Sequence, residues 1–174
     1  MFSSKGKIFP LIITVMLIMI IIYLFATVEQ PLVVCEKKNK NDLDIIVSER
    51  LETTLDSNEI RKMVLVKTII LPDDYLGDNN QLDNIMFILD KSYQYLDEEQ
   101  VTITKSKDRV VVKVVVENDE TIILNNIEFF DNEGLQMRIN SNTKSSEVLT
   151  LRVDDDYSEG EFMTRLKNNG YHCK

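Results

Sequence analysis

The residue types that most often carry chemistry are scarce in this chain: two cysteines, Cys35 and Cys173, and a single histidine, His172, among 174 residues. A histidine beside a cysteine can in principle draw off the thiol proton and leave a nucleophilic thiolate. Neighbours at the end of a chain lack the third group that would orient such a pair, so His172 is read as structural. The cysteines stand 138 positions apart and can close a disulfide in an oxidising compartment. Two free thiols, or a bridge from Cys35 to a second chain in a membrane dimer, are the alternatives. In the chain-entropy model an internal bridge closing so long a loop contributes at most about 5 kcal/mol. Lipid attachment at Cys35 fits poorly. Val34 is too large for the position before such a cysteine, and Glu29, Gln30 and Pro31 separate it from the apolar run upstream.

Oxygen-rich stretches are the other candidates. Asp73-Asp74-Tyr75-Leu76-Gly77-Asp78-Asn79-Asn80 and Asp154-Asp155-Asp156 carry enough carboxylates to interest a hard cation. Neither has the spacing of a calcium loop, and acids in turns and first helical turns account for both. No nucleophile elbow, phosphate loop, dinucleotide fingerprint, HExxH or CxxC occurs. The expectation is therefore no catalytic residue, no cofactor and no metal.

The elements that would position any site divide sharply by composition. Ile8–Val28 is a run of 21 residues without a charge, roughly 31 Å as a helix and enough to cross a bilayer. It is longer than a signal-peptide core and lacks a small-x-small cleavage site, so a retained transmembrane anchor is expected. Lys5 and Lys7 before it nearly balance Lys37, Lys38 and Lys40 after it. The short N-terminal tail then favours an extracytoplasmic C-terminal domain at the cell membrane.

The chain as a whole has a net charge of −9. Removing Lys5 and Lys7 with the anchor leaves 18 basic against 29 acidic residues, a balance of −11. A surface of that sign repels phosphate backbones, which excludes nucleic acid as a partner. Residues 1–28 are read as tail and transmembrane helix, 29–44 as a polar stalk, and 45–174 as one domain.

Within that domain, alternation of apolar residues predicts strands. Ile45, Val47, Leu51 and Leu55 share one face of a first strand, and Arg61 to Leu71 returns as its hairpin partner across Asp56–Glu59. Val101 to Lys105 pairs with Arg109 to Glu117, whose Val110, Val112, Val114 and Val116 share a face; that strand reads as central. Glu147 to Val153 is a fifth strand. Between Thr121 and Ile139 a turn at Asp131–Gly134 can join two short ones.

Helical spacing of Leu82, Ile85, Met86, Leu89, Tyr93 and Leu96 predicts a helix over Gln81 to Leu96, with Asp78, Asn79 and Asn80 as caps. Ser158 and Glu161 form a capping box for a second helix, with Tyr157 and Phe162 as its staple and Gly170 as its left-handed stop. The expected fold class is α+β: an N-terminal transmembrane helix, then an antiparallel sheet of about five strands with two helices packed on one face.

Taken together, the apolar N-terminal segment, the cysteine soon after it and the strand pair around Ile45 to Leu71 resemble the YehR-like lipoproteins and their membrane-anchored Gram-positive relatives. Asp90-Lys91-Ser92-Tyr93, Val110 to Val116 and the ending Phe162 to Lys174 add to that resemblance. It implies an extracytoplasmic α+β domain of undefined function, and no enzyme. The functional expectation is a single-pass, membrane-anchored, non-enzymatic binding domain, touching the lipid bilayer through Ile8–Val28 and a protein partner through its surface. The alternative is a membrane-tethered regulatory or assembly subunit.

Overall fold

In the computed structural model the chain divides into two units, Met1–Gln30 and Pro31–Lys174. The structure describes residues 32–56, 59–77, 80–117, 119–124, 126–131, 135–140, 149–153 and 158–174. The apolar run Ile8–Val28 lies outside them, as do Asp78, Asn79, Asp154–Asp156 and Tyr157. Among the described residues no helix is long and apolar enough to cross a membrane.

Strands dominate, and the expected α+β plan of about five strands with a transmembrane helix in front is not what the described residues form. Ten strands occur among them: β1 (Leu32–Lys40), β2 (Ile46–Asp56), β3 (Glu59–Ile70), β4 (Val101–Lys105), β5 (Arg109–Glu117), β6 (Thr121–Leu124), β7 (Asn126–Asp131), β8 (Leu135–Asn140), β9 (Leu149–Arg152) and β10 (His172–Cys173). Two α-helices accompany them, α1 (Asn80–Ser92) and α2 (Glu159–Asn168). Six strands make one antiparallel sheet in the order β10-β1-β2-β3-β5-β4, while β6-β9 and β7-β8 form separate two-stranded ladders.

Two expectations change most. The stretch read as a stalk contains β1, which sits inside the main sheet between β2 and β10. Its lysines and asparagines conceal a strand because only Val33 and Cys35 are buried along it. The strand expected at Glu147 to Val153 is present as β9, but it pairs with β6 rather than joining the main sheet. Its inward residues are Leu149, Leu151 and Val153.

Period-two side-chain alternation explains why the large sheet has one dry face. The registers align Cys35, Leu51, Leu65, Val114 and Val101 in one row and Val33, Thr53, Met63 and Val116 in another. From β1 to β5 these residues are buried, whereas the intervening ones, such as Arg50, Val64 and Lys113, are not. β5 has partners on both sides. A register shift at Thr54/Leu55 marks a bulge near the β2–β3 turn. The β1–β2 turn is held by Asn41, whose Oδ1 accepts from the backbone N–H groups of Leu43 at 3.1 Å and Ile45 at 2.9 Å.

Helix α1 lies against β4 and β5, and α2 against β1 and β10, at opposite ends of the strand order. α1 ends at Ser92, earlier than its apolar stripe suggests, and Tyr93 and Leu96 continue the stripe in the following turn. α2 starts as its capping box requires. Ser158 Oγ accepts from the Glu161 N–H at 3.3 Å, and Glu161 Oε2 accepts from the Ser158 N–H at 3.3 Å. Gly170 stops it with φ +85°. Phe162 and Leu166 of α2 join Ile85 and Leu89 of α1, Ile122 of β6 and Leu151 of β9 in the core cluster over the sheet.

Candidate functional site

The most unusual chemistry inside the fold is a charged pair that alternation drives into the core. Glu49 follows Val47 by two positions on the inward face of β2, and Lys67 stands between Leu65 and Ile69 on the inward face of β3. The register sets them directly opposite each other. Lys67 Nζ lies 2.9 Å from Glu49 Oε1, with side-chain exposures of 1% and 9%. Charges so far from water persist only when their remaining polar atoms are also occupied.

Two tyrosines complete that requirement. Tyr171, placed by the chain reversal after Gly170, donates its hydroxyl to Glu49 Oε2. Tyr93, in the turn just after α1, accepts a side-chain hydrogen bond from the Lys67 ammonium. Burial on its own would raise the Glu49 carboxyl. The Lys67 charge, hydrogen bonds from Lys67 and Tyr171, and the nearby Lys37 outweigh it and hold the group below its ordinary value. Burial likewise works against the Lys67 ammonium, but Tyr93 and Glu49 hold its pKa above the ordinary value. Both phenols are pushed up, chiefly by burial and further by the Glu49 charge, with Lys67 opposing the rise at Tyr93. Both stay protonated, Tyr171 donating to Glu49 and Tyr93 accepting from the Lys67 ammonium.

A cleft of about 410 Å³ opens beside this pair, with Glu49 in its lining between Lys37 and Asn39 of β1 and Phe129 of β7. Lys37 is opposite Glu49 in register, and its ammonium sits 5.6 Å from the centre of the Tyr171 ring, a cation–π geometry. The cleft could take a small polar ligand. The carboxylate at its floor is already committed to Lys67 and Tyr171, which gives it a structural task rather than that of a free base.

Cys35 and Cys173 are joined in a disulfide, so neither is a thiol. They are direct partners in the β1–β10 ladder, 4.0 Å apart at Cα. Next to them, Val34 and Lys174 exchange backbone bonds of 2.9 and 3.4 Å, which leaves the cysteines as the close, non-bonded pair of the ladder. His172 is exposed, points to the opposite side of β10 from Cys173, and is the register partner of Glu36. Asp73 to Tyr75 forms a single 3-10 turn, with the Tyr75 hydroxyl donating to Asp131 at 2.8 Å. Among the described residues no group of three or more His, Cys, Asp or Glu is placed to hold a metal ion.

Sequence reasoning missed Glu49, Lys67 and Tyr171, and took Tyr93 for part of an apolar stripe. The available signal was two opposite charges, each at an inward position of strands expected to pair. No protein-family model, no curated protein and no solved structure matches this chain.

Proposed function

We propose that residues 32–174 form an extracytoplasmic, non-enzymatic binding domain, held at the membrane surface by the apolar run Ile8–Val28 and engaging a protein partner. The observation that carries this reading is the Cys35–Cys173 disulfide, because bridges of this kind persist in oxidising compartments and are rare where glutathione keeps thiols reduced. The length of the apolar run and its lack of a small-x-small cleavage site support a tether, and the resemblance to the YehR-like lipoproteins agrees with it. Absence of enzymatic activity is supported by the state of the buried network: its carboxylate is paired and its phenols stay protonated.

Protease added to intact cells is expected to remove the region after Val28, while a cytoplasmic control protein survives. Full-length chain recovered from intact cells, with the same protease active on lysates, would overturn the location. Trapping thiols with maleimide before lysis gives an independent reading: Cys35 and Cys173 should take up label only after reduction.

A further inference from the structure

The main sheet ends on one side in β4, and among the described residues no other strand pairs with that side of it. Backbone geometry says which groups this edge offers. Gln100 O accepts from Val115 N at 2.9 Å and Ser106 N donates to Arg109 O at 2.8 Å, so even-numbered residues of this segment turn their backbone toward β5. By alternation the N–H and C=O groups of Val101, Ile103 and Lys105 point away from the sheet. The side chains of Val101 and Ile103 share a face with their partners Val114 and Val112, and both are only half-buried.

A cleft of about 630 Å³ runs beside those two side chains. Met86 and Phe87 of α1 and Leu96 of the following turn supply its apolar lining, and Phe87 is 62% exposed. Asp90, Asp97 and Glu98 are its charged lining residues, all acidic. Lys91 stands over the Phe87 ring, 5.7 Å from its centre. A strand added next to β4 would send alternate side chains into this cleft, because residues that exchange backbone bonds with Val101 and Ile103 share their face.

We infer that the β4 edge is a β-augmentation site for an extended, basic peptide of a partner protein, bound antiparallel with Arg, Lys or aliphatic residues at alternate positions entering the cleft. Five residues of edge span roughly 17 Å. Main-chain bonds would supply affinity, and the cleft would select the side chains. Long basic side chains suit it because their methylene stems cover Leu96 and Phe87 while the charge reaches the carboxylates. A second copy of this chain suits it poorly: the same three acids would meet across the joint, in a domain with 18 basic against 28 acidic residues over 32–174. This assignment identifies the ligand class of the proposed binding domain and rests on that reading, but not on where the domain is located.

The test uses detergent-solubilised full-length chain and a fluorescein-labelled peptide, Thr-Arg-Thr-Ile-Thr-Arg-Thr. A saturable rise in anisotropy is expected. N-methylation at the Arg, Ile and Arg residues should weaken binding at least tenfold, while N-methylation at the internal threonines should not. Replacing both arginines by glutamate should abolish it. Ile103→Pro, which removes an N–H that bonds nothing in the sheet, and Asp97→Lys with Glu98→Lys should each weaken it at least tenfold. The methylated peptides carry the same question should either variant fail to fold. A flat titration, equal affinity for both methylation patterns, or equal affinity for the glutamate peptide would overturn the site. So would a dimer that Ile103→Pro dissolves and the peptide cannot displace. Protection from protease in intact cells would overturn the location and leave this titration unaffected.

Discussion

At one end of the main sheet, β10 is only two residues long, yet it is fixed by a disulfide to β1 and by the Tyr171 hydroxyl to the buried Glu49. At the other end β4 has five residues and no covalent lock; α1 packs against it through contacts that include the exposed Lys105–Asp83 pair, and a cleft opens between the two. The shorter edge is therefore the more firmly held. Strand length does not decide how secure an edge is; what decides it is whether side chains beyond the ladder tie the edge to the core. The crosslink belongs to the closed end, the buried ion pair lies between the two middle strands and is reached by Tyr171 from the closed end, and the open end keeps its backbone groups available.

Breaking the closed end should have the largest effect. Replacing both cysteines, Cys35→Ser and Cys173→Ser, should lower stability by up to about 5 kcal/mol in urea unfolding, since the loop released spans most of the domain. A change below about 1 kcal/mol would mean that Tyr171 and α2 hold β10 without help.

The buried pair comes next. Lys67→Met leaves the Glu49 carboxylate without its cation and should cost about 3–5 kcal/mol, whereas Glu49→Leu with Lys67→Met should recover much of that loss. pH provides a second reading. Glu49 is held below its ordinary value of 4.5, so its contribution is present above that pH and is lost as pH falls through the folded value. Lys67 is held above 10.5, so its contribution is complete below that pH and is lost as pH rises through the folded value. Stability attributable to the pair should be flat between these limits, and the double variant should lose both flanks. A double variant with an unchanged acid flank would assign that flank to other carboxylates.

The smallest effect is expected at the open end. Ile103→Pro should cost only about 1 kcal/mol, mostly in lost side-chain contact, because its amide faces out of the sheet. A much larger loss in urea unfolding would show that β4 is secured by more than its ladder to β5.

The strands most legible in the sequence were those with apolar alternation, unbroken from Val110 to Val116 and recognisable in the Ile45 to Leu71 hairpin despite Glu49, Thr53 and Lys67 at inward positions. The Ser158–Glu161 box and the Gly170 stop were equally plain, because capping chemistry is local. β1 was not legible. Its pairing is set by β2 on one side and by residues at the far end of the chain on the other, so its own lysines and asparagines read as a solvated connector. The placement of β9 failed for a related reason, since alternation says that a strand has an inward face but not which ladder it enters. Of the candidate site, the cysteines were visible as residue types. The Glu49–Lys67–Tyr171 association was not, since it unites β2, β3 and the C-terminal end.

Sequence alone determined the local periodicities, the helix caps, the acidic charge balance and the pair of cysteines able to bridge. All of these depend on neighbours a few positions apart or on simple composition. Tertiary structure alone decided that the cysteines meet, that two opposite charges share the dry face of the sheet, and which strand edge stays open. Those outcomes depend on the register and order of strands distant in the chain, where a shift of one residue would exchange every inward side chain for an outward one.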